Sequence, residues 1–294
     1  MTGPAAPAAS TASIRERFDR PVFIVSTPRS GSTLLFETLA QAPGLHTVGG
    51  ESHWLIEDIP AFSPAASGWG SNRLTAADAA PAPVELLARA FYAELRDRDG
   101  GPAEVRVRML EKTPKNALRV PFFNAAWPDA LFVYLYREVR ETLSSMIEAW
   151  LSGAFRTYPQ LPGWTGHPWS LLLVPSWQQL NGRPLPEIVA EQWAITTETL
   201  LDDLAALPRE QLRALVYRDF VASPQPVAEA IAQSLGLEWD RQLGPLPLSK
   251  TTVSQPRADK WRAIEPVIEA VLPIVEKADL RARAFVEELQ SSAT

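Results

Sequence analysis

Val22-Phe23-Ile24-Val25-Ser26-Thr27-Pro28-Arg29-Ser30-Gly31-Ser32-Thr33-Leu34-Leu35 is the stretch from which the fold of this chain can be read. Its first four residues are β-branched or aromatic, the composition of a short buried strand, expected over 21–26. Leu34 begins an apolar-periodic segment that halts at Ala42-Pro43-Gly44, which predicts a helix over 32–41 with a clear stop signal. Between them lies a tight turn of small hydroxyl residues around one glycine. A strand that feeds such a turn and then a helix aims backbone N–H groups and the positive helix end at one point. Arg29 adds a fixed positive charge there, so Thr27, Arg29, Ser30, Gly31, Ser32 and Thr33 are expected to receive a phosphate or sulfate.

The spacing of this turn separates it from two common nucleotide loops. A nucleotide-triphosphate loop needs Gly-x-x-x-x-Gly-Lys-Ser/Thr, with lysine just before the hydroxyl residue that holds magnesium. Here one glycine is present and the basic residue precedes it by two positions. The dinucleotide fingerprint Gly-x-Gly-x-x-Gly is absent as well. A kinase or NTPase of the P-loop type therefore remains an alternative, disfavoured further because no convincing magnesium-binding Asp follows an apolar strand. A non-catalytic nucleotide-binding protein of the same fold is the other alternative.

Outward from this stretch, strands and helices alternate. Strands are expected at 105–110, 130–136 and 212–217. Helices are expected around 53–58 and at 83–98, 115–126, 138–151, 185–207, 224–235 and 262–290, and 43–52 reads as irregular. Strands alternating with helices of 10–15 residues predict an α/β fold of three layers, a P-loop-like parallel sheet with helices on both faces. Residues 1–20, rich at their start in Ala, Pro, Ser and Thr, are expected to be a disordered leader, and 21–294 one domain. Residues 151–184 interrupt the rhythm with Trp164, Trp169, Trp177, Phe155, Tyr158 and Leu171-Leu172-Leu173. Such an apolar, aperiodic run reads as a packed insert, or as a lid over an apolar pocket to which Trp54 and Trp69 would contribute.

Arg137 stands at the carboxyl end of the 130–136 strand, where open α/β sheets place their ligands. A planar guanidinium fork at that point suits a phosphate. Lysine is scarce, five against 23 arginines, and four of the five lie in Glu111-Lys112-Thr113-Pro114-Lys115 or in the 249–262 segment that contains Lys250 and Lys260. Scarce lysine gathered in two short segments points to function there.

Pro28-Arg-Ser-Gly-Ser-Thr-Leu-Leu35 after an N-terminal strand resembles the 5′-phosphosulfate loop of sulfotransferases that use 3′-phosphoadenosine-5′-phosphosulfate (PAPS). The likeness is to the branch with arginine in that loop, which includes tyrosylprotein and bacterial polyketide sulfotransferases. The family pairs an arginine at a strand end with a serine eight residues later at its 3′-phosphate site, a spacing that Arg137 and Ser145 match. Glu111 to Lys115 resembles the family's lysine-containing segment before its substrate-side helix. Leu215 to Phe220 resembles the strand whose tyrosine, here Tyr217, lies near the adenine. Ser249 to Ser254 and Asp259 to Arg262 resemble the loop that closes over the cofactor, which implies roles for Ser254 and Lys260. In Gly49-Gly50-Glu51-Ser52-His53, Glu51 resembles the base of the tyrosylprotein enzymes, and the Glu-x-His pattern resembles the polyketide ones. The resemblance implies PAPS as sulfuryl donor and a hydroxyl-bearing small-molecule, lipid, polyketide or peptide acceptor. It also implies catalytic roles for Arg29 and for Glu51 or His53, and it leaves the role of Lys112 open.

Composition narrows the rest. The chain has 294 residues, is 46% hydrophobic, and has room for one large core. Its lack of cysteine removes disulfides, thiolate metal ligands and a thiol nucleophile. With three scattered histidines, no metal site is expected, and His46 and His167 read as packing or surface residues. A net charge of −6 argues against a nucleic-acid or polyanion partner. The start lacks the basic and apolar regions of a signal peptide, and no apolar run approaches the ~18 residues of a membrane span. A cytoplasmic location is expected.

Overall fold

The computed structural model describes residues 13–248 and 259–291. A strand, β1 (Val22–Val25), leads through the Ser26–Gly31 turn into α1 (Ser32–Leu39). There follow β2 (Leu45–His46), α2 (His53–Glu57), α3 (Pro81–Glu94), β3 (Arg108–Lys112), α4 (Val120–Ala126), β4 (Leu131–Tyr136) and α5 (Val139–Ser152). The chain continues with β5 (Arg156–Tyr158), β6 (Trp169–Ser170), α6 (Leu185–Ala205), β7 (Leu212–Val216), α7 (Tyr217–Ala222), α8 (Pro224–Ser234) and α9 (Glu265–Ser291).

Five parallel strands form one sheet in the order β2-β3-β1-β4-β7. The period of two along each strand divides the core between two faces. Phe23, Val25, Met109, Phe132, Tyr134 and Tyr136 pack on one face against α3, α4, α6 and α9. Val22, Ile24, Leu110, Leu131, Val133 and Leu135 pack on the other, beneath α1, α7 and α8. The result is the expected three-layer α/β arrangement. β1 lies at the centre, and the chain fills the β3 side of it before crossing to the β4 side. Such a switch of direction opens a crevice at the carboxyl ends of the strands.

Three expectations are corrected. Of the 1–20 stretch expected to be disordered, residues 1–12 lie outside the described residues, whereas 14–17 form a 3-10 helix. Phe18 is buried against Tyr92 and Trp127, a placement the polar residues around it hide in the sequence. The third strand lies at 108–112, not 105–110: Val105 is 73% exposed, and the strand runs on through Glu111 and Lys112. Charged residues are seldom fully buried, so the sequence reading stopped just before them. The helix expected over 115–126 is a 3-10 turn, Pro114–Leu118, followed by α4, because Pro121 lacks the N–H and crowds the preceding turn. Among the described residues, no helix is long and apolar enough to cross a membrane.

The 151–184 segment is a packed body carrying the antiparallel β5–β6 pair. Trp169 and Trp177 are buried with α5, α6 and the start of α9. Trp164 stacks edge-on against both.

Candidate functional site

A cleft of about 460 Å³ opens at the carboxyl ends of the strands, a size typical of ligand sites. One end is built by the turn after β1 and the start of α5. Arg29 sits in the left-handed region (φ 68°) and Gly31 at φ 92°, so the turn folds back tightly before α1. Strain of this kind gathers at ligand sites. Thr27 Oγ1 and Ser30 Oγ share a hydrogen bond at 2.7 Å inside the turn. Both side chains are buried and neither lines the cleft, so their hydroxyls hold the turn's shape. Arg29, Gly31, Ser32 and Thr33 do line it.

The Arg29 guanidinium lies over the Phe155 ring at 4.7 Å, and its Nε donates to Ser145 Oγ at 3.2 Å. Burial, and then the nearby Arg137, lower the Arg29 pKa from its ordinary value. Arg137 donates to the Arg29 carbonyl at 3.0 Å, pairs with Glu141 at 3.1 Å and lies over the Tyr217 ring at 4.8 Å. Tyr217 begins α7 and does not end β7, as the strand expected over 212–217 would have had it. Its ring packs so close to Gly31 that a Cβ there would fall 2.2 Å from Tyr217 Cε2. Lys260 reaches the same end and pairs with Glu148 of α5. Ser254 lies outside the described residues.

The opposite end is built by the segment after β2 and the end of β3. Ser52 is fully buried, its N–H donating to Thr113 Oγ1 at 2.9 Å and its hydroxyl to Glu111. Glu111 also accepts from Thr113 and Asn116. This network pins Ser52 and leaves its neighbours, Glu51 and His53, facing the cleft. Burial raises the Glu111 pKa.

Lys112, 1% exposed, stands between the ends: Nζ donates to Thr33 Oγ1 at 3.0 Å and to Glu51 Oε1 at 2.9 Å. The other Glu51 oxygen is 3.9 Å from His53 Nδ1. Burial, then the field of Lys115, lowers the His53 pKa from its ordinary value, which favours the neutral imidazole.

Residues 21–241 match the profile of the sulfotransferase family. The chain belongs to that family. A Caenorhabditis briggsae relative, assigned by name to the protein-tyrosine sulfotransferases, is 28% identical over 131 residues, 45% of this chain. The match spans 44% of that relative's own length. The crystal structure of a sulfotransferase from Alicyclobacillus acidocaldarius superposes with a TM-score of 0.51 at 16% identity, covering 92% of this chain and 96% of that one. This likeness is one of fold.

In this sulfotransferase-family chain the turn after β1, Arg137, Ser145, Tyr217, Lys260, Glu51 and His53 thus meet in one cleft. Trp54 and Trp69, expected to line it, do not: Trp54 is largely exposed and Trp69 packs on Tyr158. The insert contributes Phe155, Arg156, Thr157, Leu171 and Leu172. Sequence reasoning missed Glu57, whose carboxylate accepts from Lys115 at 2.7 Å and from Arg119 at 2.7 Å. The available signal was the second lysine of Glu111-Lys112-Thr113-Pro114-Lys115.

Proposed function

We propose that this chain transfers a sulfuryl group from PAPS to a hydroxyl group of an organic acceptor and releases adenosine 3′,5′-bisphosphate. The observation that carries the reading is the contact between Arg137 and Arg29. Two guanidinium side chains thus lie in one cleft whose other end holds Glu51 and His53, an arrangement that supports phosphate binding between them. The residues present fit the donor. Gly31, without a side chain, lets the Tyr217 ring pack directly against the turn, an aromatic face suited to a base, and the first-turn amides of α1 lack intrahelical acceptors.

When bound, PAPS supplies an activated sulfuryl group on a phosphate leaving group. Arg29 and the 27–33 amides would hold the 5′ end, Arg137 and Ser145 the 3′-phosphate, Tyr217 the adenine and Lys260 the outer face. Lys112, fixed between Thr33 and Glu51, would set positive charge where the transferring oxygens gather. Glu51 would take the hydroxyl proton, with neutral His53 beside it as the second candidate.

Calorimetric titration with EDTA present is expected to show PAPS binding, followed by radiolabelled sulfate transfer to a phenol. Tighter binding of ATP than of PAPS, or binding that needs magnesium, would refute the reading.

A further inference from the structure

Behind the Glu51 end of the cleft, one carboxylate is shared by two buried cations. Glu57 accepts from Lys115 Nζ at 2.8 and 2.7 Å, from Arg119 at 2.7 Å and from Asn72 at 3.2 Å, and Tyr158 Oη stands at 3.5 Å. Its capacity is filled. Arg119 is 0% exposed and donates also to Asn72 O and Asn116 Oδ1. Lys115 is 6% exposed, and among the described residues Glu57 is its one hydrogen-bond acceptor. One face of its ammonium lies over the Tyr158 ring at 4.9 Å. An ammonium has three N–H donors, so Lys115 keeps donor capacity, and it lines the cleft beside Glu51 and His53.

The charges do not balance. One carboxylate against an ammonium and a guanidinium leaves one buried positive charge, and an unpaired buried ion costs several kcal/mol. Burial pushes the Lys115 pKa down to about 8 although Glu57 pulls the other way, and Arg119 adds to the fall. Arg156 reaches the same cleft from β5 and has no ion-pair partner among the described residues.

We propose that the acceptor is a small hydroxy acid whose carboxylate is received by Lys115 while its hydroxyl faces Glu51. This rests on the sulfuryl-transfer reading above. In the step, the acceptor hydroxyl oxygen forms the new S–O bond and its proton passes to Glu51. The S–O bond to the donor phosphate breaks, and the carboxylate is unchanged. A carboxylate matches the surplus positive charge that Lys115 and Arg119 leave on their shared Glu57. The cleft must hold the nucleotide as well, which favours a small acceptor.

The test compares three acids, 4-hydroxybenzoate, 4-hydroxyphenylacetate and 3-(4-hydroxyphenyl)propanoate, with their primary amides, and uses 2-naphthol as an uncharged acceptor. Binding is read by calorimetry on the protein saturated with adenosine 3′,5′-bisphosphate, turnover with PAPS. At least one acid should exceed its amide by tenfold or more in kcat/KM, chiefly through KM, and by a similar factor in Kd. Lys115→Met should erase that preference without changing affinity for the bisphosphate, and Lys115→Arg should keep part of it. The preference should shrink from pH 7 to 9 as Lys115, faced by Glu57, Arg119, Glu51, His53 and Tyr158, loses its proton. Transfer to 2-naphthol with no acid preferred over its amide overturns the proposal and leaves the sulfuryl-transfer reading standing. An acid preference that survives in Lys115→Met overturns it too. Lys115-dependent binding of an acid without any sulfate transfer would support the carboxylate site and sink the transfer reading instead. The acid–amide comparison on the unaltered chain decides the matter even if the lysine variants fold poorly.

Discussion

Lys112 Nζ lies 2.9 Å from Glu51 Oε1, and the lysine is buried to 1% exposure at the end of a central strand. A buried ammonium needs partners, and here they are the proposed base and a hydroxyl, Thr33 Oγ1, of the turn proposed to receive the donor's anion. The proposed donor and acceptor ends are therefore joined by one side chain held by the sheet. Glu51 is oriented by the same cation that bonds Thr33 of the turn after β1.

Glu51→Gln keeps the size and polarity of the side chain but cannot accept a proton. Turnover is expected to fall about 10²- to 10⁴-fold with PAPS affinity nearly unchanged, and the defect should shrink with acidic phenols already part-ionised. His53→Gln should cost much less. If His53 were the base, the pattern would reverse. The rate would then fall as pH drops through the imidazole's pKa, which burial lowers from its ordinary value. Rate–pH profiles of both variants distinguish the two.

Arg137→Ala should weaken PAPS binding about 10- to 100-fold, since a charge-assisted hydrogen bond contributes about 1.5–3 kcal/mol. Because Arg137 also holds the Arg29 carbonyl and Ser145 accepts from the Arg29 side chain, Arg137→Ala and Ser145→Ala should not add independently. A double-mutant cycle on the donor Kd that closes to zero would contradict this coupling.

Much of the cleft's lining was legible because its signals are local. The Ser26–Thr33 turn, the Arg137 strand end and the Glu51–His53 segment each combine residue type with a nearby element boundary. Glu57 was not legible in that way, since its role comes from Lys115 and Arg119, which lie 58 and 62 residues away in the chain. Lys112 was visible as a scarce lysine, but its burial followed from a strand that continues through two charged residues. The insert's tryptophans read equally as pocket or core, and only packing against α5 and α6 decided for core.

Glu57→Gln should destabilise the fold by about 3–5 kcal/mol at pH 7, because it leaves Lys115 and Arg119 buried without their carboxylate. Burial alone would raise the Glu57 pKa, but Lys115 and Arg119 outweigh it, so the folded value lies below the ordinary one. A depressed carboxylate contributes stability above its unfolded pKa, and that contribution is lost as pH falls through the folded value. The stability gap between Glu57→Gln and the unaltered chain should therefore be widest near neutrality and narrow in acid. Urea unfolding at pH 7 and pH 4 measures it, and a gap that is constant or grows in acid would contradict the assignment.

Gly31→Ala tests the shape of the donor end. The residue sits at φ 92°, where a side chain costs about 1–3 kcal/mol, and the new Cβ would meet Tyr217 Cε2 at 2.2 Å. Either the turn or the ring must move. A shift of the ring carries with it the Arg137 guanidinium, stacked 4.8 Å above it, and a shift of the turn moves the Arg29 carbonyl that Arg137 grips. Both routes disturb the donor end and leave Glu51, held through Lys112 and the Ser52 anchor, in place. PAPS affinity is therefore expected to fall at least tenfold while acceptor KM, measured at saturating PAPS, changes little. Adding Tyr217→Ala removes the collision but neither the backbone strain nor the loss of the ring, so the double variant should not regain normal affinity. An unaltered PAPS Kd in Gly31→Ala would show that the turn yields without consequence, and the contact between Gly31 and Tyr217 would then play no part in holding the donor.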